Sequence, residues 1–311
     1  MTRFSRRPAR REREAMLDYW DITIRQNPAS PSHVVPIMKT AHLALALLLA
    51  AVVAAGCDVR VSDKGGVSLD INEGGRAEDE STKTYPLAKG GRLELQTQNG
   101  SIELIKATGA GVEVHARRQV RGKTDEEAQG LLKEQSFTVE TVPDRVTIRN
   151  AKPEGLEGFR RRIRTDYRIS VPVGAIVSIK NENGSVTLND VAGHFTISLT
   201  NGRIDGRRVS GGFVSETVNA TVILQLASVT DNVRVTTVNG HALIGLPPNL
   251  NATVEASAVN GGVIVREGLT VETATKDRQR LSGRLGTGSG PRIELNTTNG
   301  NVRLGAGEPP T

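Results

Sequence analysis

Residues 183–206 read NGSVTLNDVAGHFTISLTNGRIDG, with Asn-Gly steps at Asn183-Gly184 and Asn201-Gly202, 18 residues apart. Between them apolar and polar residues alternate (Val186, Leu188; Phe195, Ile197, Leu199), the period of two that marks a strand with one buried face. Asn and Gly reach left-handed backbone conformations cheaply, so each step marks a tight change of direction. The same step recurs at Asn239-Gly240, Asn260-Gly261 and Asn299-Gly300, with Asn219-Ala220 in between. Successive gaps from Asn183 to Asn260 are 18, 18, 20 and 21 residues, and the last gap, 39, is close to two periods with one turn replaced. Such self-similarity is the mark of a repeat architecture.

Aligned on the Asn, the third residue on is Val186, Ile204, Val222, Ala242, Val263 or Val302, and the fourth residue back is Ile179, Ile197, Ser215, Val235, Ala256 or Leu295. Inward positions are therefore small aliphatics and outward ones Thr, Ser, Glu and Arg. Asn99-Gly100, with Leu95, Ile102 and Leu104, carries the same signature outside the run. Two all-β architectures satisfy it: a hairpin at each step, giving an antiparallel sandwich, or one coil of a right-handed parallel β-solenoid per repeat, with Asn and aliphatic ladders. A second turn halfway through most repeats, at Ala192-Gly193, Gly211-Gly212, Pro247-Pro248 and Glu267-Gly268, favours the solenoid. So does an aromatic content of only 3%, which suits a narrow core.

The address lies upstream. From Met38 the chain reads MKTAHLALALLLAAVVAAGC, a short start with Lys39, an apolar run from Ala41 to Ala55, then Gly56 and Cys57. The run is shorter than the ~20 residues of a spanning helix and has the form of a secretory signal. Ala54-Ala55-Gly56-Cys57 resembles the lipobox of bacterial lipoproteins, which makes Cys57, the sole cysteine, the expected lipid attachment point. A single cysteine forms no disulfide within the chain. Residues 1–37 read as a mis-annotated upstream extension, 38–56 as the signal peptide and 57–84 as a flexible polar tether. Residues 85–180 read as an N-terminal β module with one short helix, 181–305 as the solenoid and 306–311 as a tail. The helix is announced by Thr124-Asp125-Glu126-Glu127, a capping-box pattern ahead of Ala128, Leu131 and Leu132.

Charge narrows the function. Of the formal +6, three come from residues 1–37 and one from Lys39, leaving +2 from Cys57 onward. That near-balance argues against a nucleic-acid partner. Arg160, Arg161, Arg162 and Arg164 form a candidate polyanion patch, or else a charged strand that discourages edge pairing. His115, His194 and His241 show no metal-ligand spacing, so neither a metal nor a cofactor is expected. Gly283 to Gly290 lacks the ending of a phosphate-binding loop and reads as a flexible excursion.

The residues Gln98-Asn99-Gly100-Ser101-Ile102, Ile169-Ser170-Val171-Pro172, Asn183-Gly184-Ser185-Val186 and Thr200-Asn201-Gly202-Arg203-Ile204 resemble the bacterial putative-adhesin domain family of unknown function. The resemblance covers about residues 90–304. It implies a right-handed parallel β-helix and supplies no catalytic or binding residues to carry over. The expectation is a non-enzymatic, membrane-anchored envelope protein that binds a protein or polysaccharide or acts as a scaffold. The competing expectation is a β-helical carbohydrate-active enzyme built on carboxylates such as Asp205 and Glu216, with Arg234.

Overall fold

The computed structural model describes residues 58–61, 67–70, 74–134, 136–150 and 163–309. The chain divides into two compact units, Met1–Ile71 and Asn72–Thr311. In the first, β1 (Asp58–Val61) pairs antiparallel with β2 (Val67–Asp70). The second is mostly β, with one helix among the described residues and an open sixteen-stranded mixed sheet.

The Asn-Gly steps do not close hairpins. Strand β10 (Ala175–Asn189) runs straight through Asn183-Gly184, and β11 (Ala192–Asn239) runs through Asn201-Gly202 and Asn219-Ala220 and ends at Asn239. The two pair in parallel over both flanks of the step, Ile179 opposite Ile197, Asn183 opposite Asn201 and Val186 opposite Ile204. Each repeat is thus one rung, laid on the next in register. The cause is the buried face. The aligned residues at −4 and +3 from each Asn stack on their own kind, as in Ile179 on Ile197 and Val222 on Ala242. Phe195 and Phe213 are the largest of the fully buried side chains. Where Gly206 leaves a gap, the Leu224 side chain of the next rung fills it.

The rungs do not stack in chain order. Strand β4 (Arg92–Asn99) and β5 (Ile102–Lys106) make a rung that pairs on one side with β10. On its other side it pairs with β8 (Arg145–Asn150) and β9 (Arg164–Val171). At the opposite end, β17 (Arg292–Asn299) lies between β11 and β13 (Ala252–Asn260), parallel to both. Likewise β18 (Val302–Ala306) lies between β12 (Ala242–Leu246) and β14 (Val263–Val265). The 39-residue gap is therefore not two stacked periods with one turn replaced: it holds the antiparallel β15 (Glu272–Lys276) and β16 (Arg280–Leu285). The last rung in sequence is inserted one place before the end.

Antiparallel strands close both ends. Strand β6 (Val112–Arg121) covers β9, and β3 (Arg76–Tyr85) covers β6; β7 (Phe137–Val142) flanks β8. At the far end β16 (Arg280–Leu285) covers β13 and β15 (Glu272–Lys276) covers β16. Two expectations change here. In the second unit the first strand begins at Arg76 rather than near residue 85, where the acidic run Glu78-Asp79-Glu80 meets basic partners on β6. Arg117 bonds Glu78, and Arg118 Nε donates to Asp79 Oδ1 at 2.8 Å. The Gly283–Gly290 excursion is also ordered, since β16 occupies its start and Asn251 Oδ1 accepts from the Thr287 N–H at 2.9 Å. The expected border at residue 180 falls inside β10.

The helix, α1 (Asp125–Glu134), starts where the capping pattern places it. Thr124 Oγ1 accepts from the Glu127 N–H at 3.2 Å, while the Glu127 carboxylate reaches one residue further back, to the Lys123 N–H at 2.8 Å. Ala128, Leu131 and Leu132 bury against Val120 in a small separate core.

Candidate binding face

Rung stacking turns sequence columns into ladders. The side chains of Asn99, Asn183, Asn201, Asn219, Asn239, Asn299 and Asn260, in that spatial order, form a continuous amide ladder. Each Nδ2 donates to the Oδ1 before it, at 3.0, 2.9, 2.9, 2.8, 2.7 and 2.7 Å. The following residues, Gly100, Gly184, Gly202, Gly240, Gly261 and Gly300, are glycine for steric reasons. A Cβ on Gly202 would lie 1.8 Å from the Gly184 carbonyl oxygen, with φ at +145°. Ala220 stands at the same position without a positive φ. Two residues before the Asn, buried polar groups tie the step to the previous rung. Asn181 Nδ2 donates to Gly100 O at 3.1 Å, Thr237 Oγ1 to Ala220 O at 3.1 Å and Thr297 Oγ1 to Gly240 O at 3.0 Å.

Beside this ladder two outward columns form a strip. One position before each Asn stand Thr200, Val218, Val238, Thr298 and Val259, all exposed. Three positions before stand Ser198, Glu216, Thr236, Asn296 and Ser257. Ten side chains over five rungs thus carry one charge, and the strip runs about 20 Å along the stack at ~4.8 Å per rung. Val218, Val238 and Val259 are 43%, 41% and 61% exposed, which is unusual for valine in a strand with a core available. Charge returns in the columns further out, where Arg234 pairs with Glu294 at 3.2 Å and Arg292 with Glu255 at 2.6 Å. In the earlier rungs the same two columns hold Gln98, Glu182, Gln96 and Lys180, so the uncharged strip belongs to the later rungs alone.

The structure does not bring the candidate carboxylates together. Asp205 lies on the other flank of the Asn-Gly ladder, held by Arg203 at 3.0 Å and Arg207 at 3.6 Å. Glu216 stands in the strip, and Arg234 pairs with Glu294. Each histidine has its own local partner: His115 faces Glu80 at 3.7 Å, His194 faces Asp231 at 3.2 Å across the rung where Gly212 has no side chain, and His241 Nδ1 accepts from the Asn301 N–H at 3.0 Å. Among the described residues, no group of three His, Cys, Asp or Glu is placed to hold a metal ion.

Of the candidate polyanion patch, Arg160, Arg161 and Arg162 lie outside the described residues, as does Cys57. Arg164 is engaged, its Nε and Nη2 both 2.9 Å from the Asp166 carboxylate. Burial pushes the Asp166 carboxyl up, but the bonds from Arg164 and from the Ser101 hydroxyl and N–H outweigh it, and the group sits below the usual range. Beside it, burial pushes the Tyr167 hydroxyl well above its ordinary value while that hydroxyl donates to Asn150 Oδ1. Both belong to the cap at the first end of the stack. Among the described residues no helix is long and apolar enough to cross a membrane.

No protein-family model matches the chain, and no curated protein matches it. Several solved structures are similar to it in part. One is a putative cell adhesion protein from Clostridium sporogenes, 13% identical, with 74% of this chain and 100% of that chain covered at a TM-score of 0.41. A putative adhesin from Bacteroides fragilis is 10% identical over 73% of this chain and 97% of that one, TM-score 0.28. A putative lipid binding protein from Parabacteroides distasonis is 11% identical over 73% and 96%, TM-score 0.29. These are partial likenesses of shape.

Proposed function

We propose that this is a non-enzymatic cell-envelope protein, anchored by acyl chains on Cys57, whose rungs form a right-handed parallel β-solenoid that binds polysaccharide along the uncharged strip. The observation that carries the reading is the strip itself: Val218, Val238 and Val259 exposed beside Thr200, Thr236 and Thr298, with Arg234 paired to Glu294 and Arg292 to Glu255 alongside. A flat, periodic surface without a deep pocket suits a polymer better than a small ligand. Valine methyls match the C–H faces of sugar rings, and the threonine hydroxyls serve as donor and acceptor for sugar hydroxyls. Each rung contributes little. Repetition along a polymer raises the overall strength through effective concentration.

The reading separates into two tests. In cells, replacing Cys57 with Ala moves the protein from the membrane fraction to the soluble fraction; membrane retention of that variant overturns the anchor. In solution, the released protein co-sediments with insoluble envelope polysaccharide and is displaced by soluble fragments of it. Failure to co-sediment with any member of a panel of envelope polysaccharides overturns the binding claim. Release of reducing ends during incubation overturns its non-enzymatic character.

A further inference from the structure

The amide ladder has two unequal ends, and one of them exposes a reactive dipeptide. In an Asn-Gly step the glycine nitrogen sits one bond-forming distance from the preceding side-chain amide, and nothing but hydrogen bonding and backbone rigidity prevents their reaction. Inside the stack both restraints hold. The N–H groups of Gly100, Gly240 and Gly300 donate to the carbonyls of Asn183, Asn299 and Asn260, at 3.0, 3.0 and 3.1 Å. Gly184 and Gly202 lie within the paired strands. Asn99, at the first end, is held in the same way, because its glycine donates into the stack.

Asn260 is different. It is the last member of the ladder in space though not in sequence, so no further rung offers its glycine an acceptor. Its Nδ2 donates to Asn299 Oδ1 at 2.7 Å. Among the described residues, neither the Gly261 N–H nor Asn260 Oδ1 meets a partner. The next residue is Gly262, so the nitrogen sits in a Gly-Gly pair. The covering strand β16 pairs with β13 as far as Ser257, and the residues before it follow on, Gln279 O accepting from the Ala258 N–H and Arg278 O from the Val263 N–H, both at 2.9 Å, so the bonds to the covering segment pass over the Gly261 N–H without meeting it.

We propose that Asn260 is a self-modification site at which the protein converts asparagine to aspartate and isoaspartate. The Gly261 nitrogen gives its proton to solvent and bonds to Asn260 Cγ. The Cγ–Nδ2 bond breaks, and the amide leaves as ammonia after taking up a proton. The resulting succinimide adds one water at either carbonyl. The balance is asparagine plus water to aspartate or isoaspartate plus ammonia, with no change of oxidation state and no other reactant. The product carries a negative charge next to Val259, at the end of the uncharged strip. It also loses the donor that holds the terminal rung to Asn299.

The test is the full chain aged in mildly alkaline buffer, digested and mapped by peptide mass, each event adding one mass unit. In the folded protein Asn260 is modified at least about tenfold faster than Asn201 or Asn239, the factor that corresponds to ~1.4 kcal/mol and to one retained hydrogen bond at the interior sites. In denaturant the six Asn-Gly sites react at similar rates. Asn260→Gln, whose longer side chain would have to close a six-membered ring, removes the early product. Even modification across the six sites in the folded state overturns the proposal, as does Asn99 reacting first. A tenfold lead of Asn260 that persists in denaturant also overturns it, since the flanking sequence and not the end of the stack would then be the cause.

Discussion

Replacing Gly202 with Ala puts the rung model to a quantitative test. The added Cβ would lie 1.8 Å from Gly184 O and 2.8 Å from Gly184 C, both backbone atoms of the neighbouring rung. Relief needs more than 1 Å of separation between rungs that sit ~4.8 Å apart. At that opening, bonds near 2.9 Å pass the length at which they hold. Losing two or three of them costs about 2–3 kcal/mol, and holding alanine at φ +145° adds about 1–3. The expected loss is about 3–6 kcal/mol, a large share of the 5–15 kcal/mol typical of a whole domain. Denaturant unfolding followed by far-UV circular dichroism measures it, with Ala220→Gly as the control. Ala220 occupies a ladder position already free of positive φ, so that change costs no more than about 1 kcal/mol, the usual glycine entropy. If Gly202→Ala unfolds within ~0.5 kcal/mol of the parent, the Asn-Gly steps are not packed rung on rung and the reasoning fails.

Further outcomes follow from particular contacts. Ser215 Oγ and Thr217 Oγ1 are buried without a hydrogen-bond partner, so Ser215→Val and Thr217→Val each raise stability by about 1 kcal/mol in the same unfolding assay. In a Cys57→Ser background, cysteines at positions 238 and 298 cross-link under mild oxidation, because their rungs adjoin at ~4.8 Å. Cysteines at 238 and 259 do not, because a whole rung lies between them. Asp166 is held ionised by Arg164 and Ser101, so its stabilisation is present above the unfolded carboxylate range and lost as pH falls through its lower folded value. Asp166→Asn therefore flattens the acid side of the stability profile, measured as Tm against pH.

The sequence made the rungs legible and hid their order. Asn-Gly spacing and alternating aliphatics mark where Asn183, Asn201, Asn239 and Asn260 turn, because those constraints are local: a tight step needs glycine and a buried face needs apolar residues. Nothing local tells Asn299 to lie between Asn239 and Asn260, since the flanks of all three are interchangeable in chemistry. That choice is made by the rest of the chain. The β15–β16 hairpin covers β13, and the tail after β18 packs on Gly245, where Gly307 O would lie 2.2 Å from a Cβ. The acidic run Glu78–Glu80 reads as tether for a similar reason: its partners Arg117 and Arg118 are about 39 residues away.

The uncharged strip was half visible. The repeat shows that Val218, Val238 and Val259 occupy one column, yet their outward direction follows only from the parallel register that buries Thr217, Thr237 and Ala258 beside them. The neutral surroundings depend on pairs between rungs, such as Arg292 with Glu255, which chain order separates by 37 residues.

Polysaccharide binding by two lysine variants bears on function with the least ambiguity. Val238 lies in the strip, while Ile223 is a half-buried aliphatic on the opposite flank of the Asn ladder. Both changes place one charge on an outward strand position at similar cost to the fold. In co-sedimentation with insoluble envelope polysaccharide, Val238→Lys lowers binding by about tenfold or more, equivalent to ~1.4 kcal/mol, and Ile223→Lys leaves it unchanged. Equal binding by both variants and the parent, or equal loss in both, contradicts the assignment of the strip as the binding face.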